Sequence, residues 1–372
     1  MIYLDYSATT PVDKSVLEVF NKVTNEYIGN PNALYALGSK SAEVINQSTK
    51  LISDFFHVTK EEIIYTSGAT ESNNLAIFGV VNFYAKRPKK IITTTLEHAS
   101  IKEPLAYLEK HGYEILYVDL NKDGTVNLLH LEQLLNQGVC LVTICAVDSE
   151  MGIRQPIERI GEIVKKFKTT IFHSDITQAL GKININLENV DLASFSGHKI
   201  YGLKGIGGLV KKANISLLPI IMGGKSTTIY RSGTPPVALI ASLAKVIKMI
   251  NIDEKKIDKL NAIIKNKIKK YENVIINSTE KSIPQILNFS IYSIKPETIV
   301  HMFELEKIYL SSKTACSSKD IISHAVFSLY NDKIRASSTI RISLSNITTN
   351  EEIEKFLEVF DKIYNKLLFK IK

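Results

Sequence analysis

A lysine that follows an apolar run and is ringed by small residues can do chemistry that a surface lysine cannot. In Ser194-Phe195-Ser196-Gly197-His198-Lys199-Ile200-Tyr201-Gly202, the run from Val190 to Phe195, interrupted by Asp191, reads as a strand ending just before Lys199. Gly197, Gly202, Gly205, Gly207 and Gly208 let the backbone turn sharply and approach a ligand closely. The amine is expected at the mouth of a sheet, where it can form a Schiff base once its surroundings leave part of it neutral. Twenty-four residues upstream of Lys199, Phe172-His173-Ser174-Asp175-Ile176-Thr177-Gln178 closes a second apolar strand, Thr170 to Phe172. A carboxylate, an amide and a lysine at the ends of nearby strands suit pyridoxal phosphate. A buried carboxylate keeps the pyridine nitrogen protonated, and the lysine holds the aldehyde as an imine. Asp175 and Lys199 are expected in those two roles, Gln178 as a donor to the ring hydroxyl, and Ser196 and His198 at the phosphate.

Two further stretches carry the same signal. Glu62 to Thr66 reads as a short strand, and Ser67-Gly68-Ala69-Thr70-Glu71-Ser72 then opens a helix. Unpaired N–H groups and a partial positive charge at that helix start, with the Thr70 hydroxyl, suit a phosphate. A plain helix cap by Ser67 or Thr70 is the other reading of these residues. His98 follows the strand Lys90 to Thr95. Its flat ring can stack on a pyridine and exchange protons with a substrate.

The elements that must position these groups are legible as strands near residues 63, 91, 140, 170 and 191, alternating with helices such as 101–110 and 157–167. This alternation predicts a mainly parallel α/β sheet with its ligand at the strand ends. Ile206 to Lys211 is expected to pair antiparallel, and Val139 to Val147 to form one buried strand holding Cys140 and Cys145 as small core residues. Ahead of the sheet come a helix from residue 14, a break at Gly29-Asn30-Pro31 and a second helix from about Ser39. After a helix over 236–249, the lysine-rich helix near 254–270 marks a change of organisation. Strands at 286–292, 308–311 and 339–344 follow, with helices at 296–307 and after the capping-box start Thr349-Asn350-Glu351-Glu352. The expected division is a large unit over 13–252 and a small one over 253–372, onto which residues 1–12 pack.

At 372 residues, 45% hydrophobic and 23% charged, the chain has the composition of a soluble two-domain protein. No apolar run approaches the roughly 20 residues that span a bilayer. Met1 to Tyr6 shows no signal-peptide pattern, and a cytoplasmic location is expected. Cys140, Cys145 and Cys316 are too few and too unevenly spaced for a disulfide framework or a metal site. The net charge of +8 comes from lysines interleaved with acidic residues, without stacking aromatics, so no direct nucleic-acid or membrane binding is expected.

Taken together, Tyr3 to Pro11, Thr66 to Ser72, Ser194 to Gly208, Arg231-Ser232-Gly233-Thr234 and Ser311-Ser312-Lys313-Thr314-Ala315-Cys316-Ser317-Ser318 identify a resemblance over essentially the whole chain. The sequence resembles the NifS/IscS-like cysteine desulfurases of the class V aminotransferases, pyridoxal-phosphate enzymes of fold type I. That resemblance implies an α/β fold with a seven-stranded, mainly parallel sheet flanked by helices and a smaller α+β C-terminal domain carrying the catalytic cysteine loop. It assigns Lys199 to the coenzyme imine, Asp175 to the pyridinium, His98 to stacking and proton transfer, and Gln178 to the ring oxygen. Phosphate contacts fall on Ala69, Thr70, Ser196 and His198, and Thr234 reaches the phosphate of a neighbouring subunit, which implies a homodimer. Arg341 is assigned to the substrate carboxylate and Cys316 to the nucleophile that takes sulfur from L-cysteine as a persulfide, releasing L-alanine. A sulfur acceptor in iron–sulfur cluster assembly or tRNA thiolation is the implied partner. A selenocysteine lyase-like or other β-elimination activity, and a coenzyme-binding scaffold, are the alternative readings. The chain departs from the family pattern at Ser149, Tyr35 and Ser226 to Ile229.

Overall fold

The computed structural model describes residues 1–224, 228–312 and 322–368. The strands are β1 (Ile2–Tyr3), β2 (Ile63–Thr66), β3 (Lys90–Thr93), β4 (Glu114–Tyr117), β5 (Leu141–Thr143) and β6 (Ile171–Asp175). They continue with β7 (Leu192–Ser196), β8 (Gly207–Lys211), β9 (Val274–Ile276), β10 (Ile286–Ile291), β11 (Ile308–Tyr309) and β12 (Thr339–Ser343). Among the described residues the main sheet has seven strands in the order β2-β8-β7-β6-β5-β3-β4. Pairing is parallel from β4 through β7, and β8 runs antiparallel to both β7 and β2. The strands β2, β6, β7 and β8 are buried along their whole length. That is why they read as apolar runs without alternation, since helices cover both faces.

Several boundaries differ from the sequence expectation. The ladder of β5 covers only Leu141–Thr143. Beyond it the Cys145 N–H turns to the Glu97 carboxylate at 3.0 Å, while the Ala146 N–H still follows β6 to the Asp175 carbonyl at 2.9 Å. The second helix begins at Ala36. The helix Ala69–Phe83 is capped by Gly68, whose φ of 152° suits glycine, and neither Ser67 nor Thr70 caps it. The Ser67 N–H is instead bonded to Glu71 at 2.8 Å. The edge strand β4, with exposed ends, carried too weak an apolar signal to be expected.

Among the described residues four hydrophobic clusters form, two of them with fully buried phenylalanines. One lies under the main sheet and includes Phe172 and Phe195. The other joins Leu4 to Phe289, Phe303, Phe356 and Phe360 around the antiparallel sheet β12-β10-β9. The N-terminal strand β1 pairs parallel with β11, so the start of the chain belongs structurally with its end. The helix Asn350–Leu368 starts with the reciprocal box: Glu352 N–H to Thr349 Oγ1 at 3.2 Å and Thr349 N–H to Glu352 Oε2 at 3.1 Å. Each fully buried Phe or Leu contributes about 1.5–3 kcal/mol by leaving water.

Candidate active site

Register brings the sequence motifs together. Thr66 of β2 and Ser196 of β7 both stand opposite Gly207 of β8, so the start of the helix Ala69–Phe83 and the lysine turn leave the sheet side by side. Asp175 ends β6 opposite Ser194, one strand further in. At these strand ends lies a cavity of about 550 Å³. Ala69, Thr70, Ser196 and His198 line one part of it, and His98, Asp175, Gln178, Lys199 and Arg341 the rest. Thr234 is exposed and lies outside this lining. Cys316, with Lys313, Ser226 and Thr227, lies outside the described residues, while Tyr35 is exposed.

The lysine turn is stapled from outside by the first residues of the chain. The Thr10 N–H bonds to the His198 carbonyl at 2.9 Å, and Thr10 Oγ1 receives the Tyr201 N–H at 2.7 Å. Tyr201 sits at a φ of 70°, a conformation bulky residues adopt only when neighbours enforce it. Burial, then the nearby Lys199, Lys204 and Lys182 ammonium groups, push His198 down to about 4, so its ring is neutral.

Asp175 is held by two donors: Thr177 N–H to Oδ1 at 2.9 Å and Asn73 Nδ2 to Oδ2 at 2.8 Å. Asn73 Nδ2 also reaches Ser100 Oγ at 2.8 Å, and Ser100 Oγ lies 2.8 Å from His98 Nδ1. His98 is the N-cap of the helix Ala99–Lys110, its Nδ1 accepting the Ser100 N–H at 3.1 Å. A backbone N–H can only donate, so Nδ1 is the acceptor and the neutral ring carries its proton on Nε2. Burial holds the His98 pKa below the usual value; Asp175 opposes this, and Lys199 and Lys102 add to it.

Arg341, only 1% exposed, is held at both arms of its fork: Nη1 donates to the Ser149 carbonyl and Nη2 to Asp5, each at 2.8 Å. Among the described residues its Nε is buried without a partner in the cavity wall, as is Thr177 Oγ1. Asp148 turns back on its own loop, accepting N–H groups from Glu150, Met151 and Ile153. Sequence reasoning did not single out Asn73, Ser100, Asp5 or Lys182. Their partners are remote in the chain, and no local pattern marks them.

These groups fit pyridoxal phosphate. A Cβ at Gly68 would meet Ser196 Oγ at 3.3 Å, so the cradle between the helix start and the lysine turn is kept clear by glycine. Lysine, carboxylate, imidazole and orphaned donors supply the polar set the coenzyme and an amino-acid carboxylate need.

The aminotransferase class-V family model matches residues 2–356. The cysteine desulfurase IscS of Buchnera aphidicola subsp. Baizongia pistaciae is 39% identical over 98% of this chain and 93% of its own. A solved NifS-like protein superposes with a TM-score of 0.91 at 32% identity, covering 98% of this chain and 99% of that one. A structure titled SspA in complex with cysteine superposes with a TM-score of 0.82 at 30% identity, over 92% and 99% of the two chains. With a family model spanning nearly its whole length and full-length relatives well above 30% identity, this chain belongs to the class-V aminotransferases, among the NifS/IscS-like cysteine desulfurases.

Proposed function

We propose that this chain is a pyridoxal-phosphate-dependent cysteine desulfurase that converts L-cysteine to L-alanine and carries the sulfur as a persulfide on Cys316. The observation that carries this reading is that Lys199, Asp175, His98 and Arg341 line one cavity at the ends of parallel strands. When bound, the coenzyme supplies an electron sink conjugated to the amino-acid Cα. Lys199 would anchor it covalently, Asp175 would hold its pyridinium N–H, His98 would lie against its ring, and Gln178 would donate to its ring oxygen. Ala69, Thr70, Ser196 and His198 hold its phosphate. Arg341 binds the substrate carboxylate, using the donor capacity that Ser149 and Asp5 leave free. The Lys199 amine takes the α-proton, and His98 keeps a proton at Nε2 for the substrate side. The Cys316 thiolate forms a bond to the substrate sulfur as the Cβ–S bond breaks. Cβ keeps the electron pair and takes a proton to become the methyl group of alanine.

Exposed Thr234, outside the cavity of its own chain, supports a homodimer in which it serves the partner's phosphate. The two cores support a division near residue 252, with residues 1–12 in the small unit. Among the described residues no helix is long and apolar enough to cross a membrane. We place the enzyme in the cytoplasm, passing sulfur to an acceptor protein for iron–sulfur cluster assembly or tRNA thiolation. Incubating coenzyme-loaded protein with L-cysteine and a thiol reductant should yield equimolar alanine and sulfide. A visible coenzyme band with neither product would contradict the assignment.

A further inference from the structure

Behind Gln178 lies a buried lysine that the proposed chemistry does not use. Lys182 follows Gln178 by four residues in the turn after β6, and its Nζ donates to Gln178 Oε1 at 2.8 Å. Its backbone carbonyl accepts Gln285 Nε2 at 2.9 Å, which ties it to the small unit. Among the described residues no carboxylate pairs with it. Lys199 from the turn after β7 and Arg341 from β12 both disfavour its charge, and His198 of the same turn also faces it. Tyr6, Asp13 and Tyr201 line the small cavity on its other side. Burial, reinforced by Lys199 and Arg341, brings its pKa down to about 7. Burying an ammonium without a carboxylate partner is costly, and groups perturbed in this way cluster at functional sites.

The polarity of the contacts fixes the Gln178 amide. The Ser7 carbonyl can only accept, so Nε2, 2.9 Å away, faces Ser7. With Nε2 committed to a carbonyl, Oε1 faces Lys182, whose Nζ donates to it. One Nε2 hydrogen goes to Ser7, and the other is left for the cavity that Gln178 lines beside Asp175 and Lys199. The ammonium withdraws electron density from the amide oxygen and so sharpens the remaining N–H as a donor.

We propose that Lys182 is a positioning residue for the coenzyme's ring oxygen. From behind Gln178 its ammonium fixes the amide with an N–H towards the cavity, and through that bond it holds the ring oxygen as an anion. The inference rests on the pyridoxal-phosphate reading of this cavity.

The test is a spectroscopic pH titration of the purified full chain loaded with pyridoxal phosphate. Wild type, Lys182→Met, Lys182→Gln, Lys182→Arg, Gln178→Leu and the Lys182→Met/Gln178→Leu double variant are compared, each checked by thermal melting. Losing the cation favours the proton on the coenzyme's imine nitrogen. The midpoint of the visible band should therefore rise by about one pH unit in Lys182→Met, a tenfold change in that equilibrium. Lys182→Arg should stay near wild type, and Lys182→Met should add little in the Gln178→Leu background. Lys182→Gln carries the same expectation if the methionine variant does not fold. A wild-type midpoint in Lys182→Met or Lys182→Gln with the visible band intact would overturn the inference. So would equal shifts in the arginine and methionine variants, or a full additional shift in the double variant. Failure of the underlying reading looks different: wild type itself would then show no visible band.

Discussion

At the scale of single residues, the structure separates the thiols. Burial raises Cys140 to about 11 and Cys145 well above its usual value, and both are core residues of the main sheet or its extension. Thiolate is the reactive form, so in native protein at about pH 8 an alkylating reagent should leave both unmodified and label them only after unfolding. Peptide mass spectrometry reads this, and rapid native labelling of Cys145 would contradict it. Arg341 makes a second residue-scale prediction. Lysine offers a point charge where the guanidinium offers a fork, so Arg341→Lys should raise KM for L-cysteine about 10–100-fold, the equivalent of roughly 1.5–3 kcal/mol for a charged hydrogen bond. An unchanged KM would remove Arg341 from the carboxylate site. Lys199, Asp175 and His98 were legible in the sequence because each follows an apolar run at a strand end. Asn73, Ser100 and Asp5 were not, because their contacts to Asp175, His98 and Arg341 depend on strand order and on the return of the N-terminus to the small unit. Resemblance, not spacing, pointed to Arg341, whose strand β12 looks like any other buried apolar run.

At the scale of elements, the site depends on three strands keeping one register. Thr66, Gly207 and Ser196 form a row, and a Cβ at Gly207 would lie 2.4 Å from the Phe195 carbonyl and 2.7 Å from Gly68 Cα. Gly207→Ala must push the helix start away from the lysine turn. Coenzyme affinity should fall about tenfold or more, with a lower melting temperature. Titration of the visible band measures the first and calorimetry the second; wild-type values for both would contradict the account of the cradle. The antiparallel β8 and the parallel strands around it were readable from apolar runs punctuated by glycine. The end of β5 was not, because the Cys145 N–H bonds to the Glu97 carboxylate, remote in the chain. The same holds for the stretch from Tyr3 to Pro11, which reads as a motif but acts as a staple on the lysine turn.

At the scale of the whole molecule, polar groups tie the C-terminal stretch to the main sheet at the site: Arg341 to the Ser149 carbonyl, Gln285 to the Lys182 carbonyl, and Ser278 to the Met151 carbonyl. The large unit also buries acids whose titration should mark stability. Burial raises Glu97 to about 7, partly offset by the Cys145 N–H and Thr94. The folded chain thus keeps a proton that the unfolded chain gives up from about pH 4.5, and this contribution is present at low pH and lost as pH rises through about 7. His173 and His198, both lowered to about 4, act oppositely and lose stability as pH falls below 6.5. Glu97→Gln removes only the first effect. Between about pH 5 and about pH 8 its melting temperature should therefore rise relative to wild type, and a constant difference would contradict the burial argument.

The central claim is that one cavity and one thiol together move sulfur from cysteine. The most direct measurement compares sulfide and alanine production from L-cysteine by wild type and Cys316→Ala, after recording the visible coenzyme absorbance of each. The account predicts matching absorbance, equimolar products from wild type with a persulfide on the Cys316 peptide, and neither persulfide nor sustained sulfide release from the variant. Equal turnover by Cys316→Ala would contradict it and leave β-elimination without an enzyme thiol as the chemistry of this site.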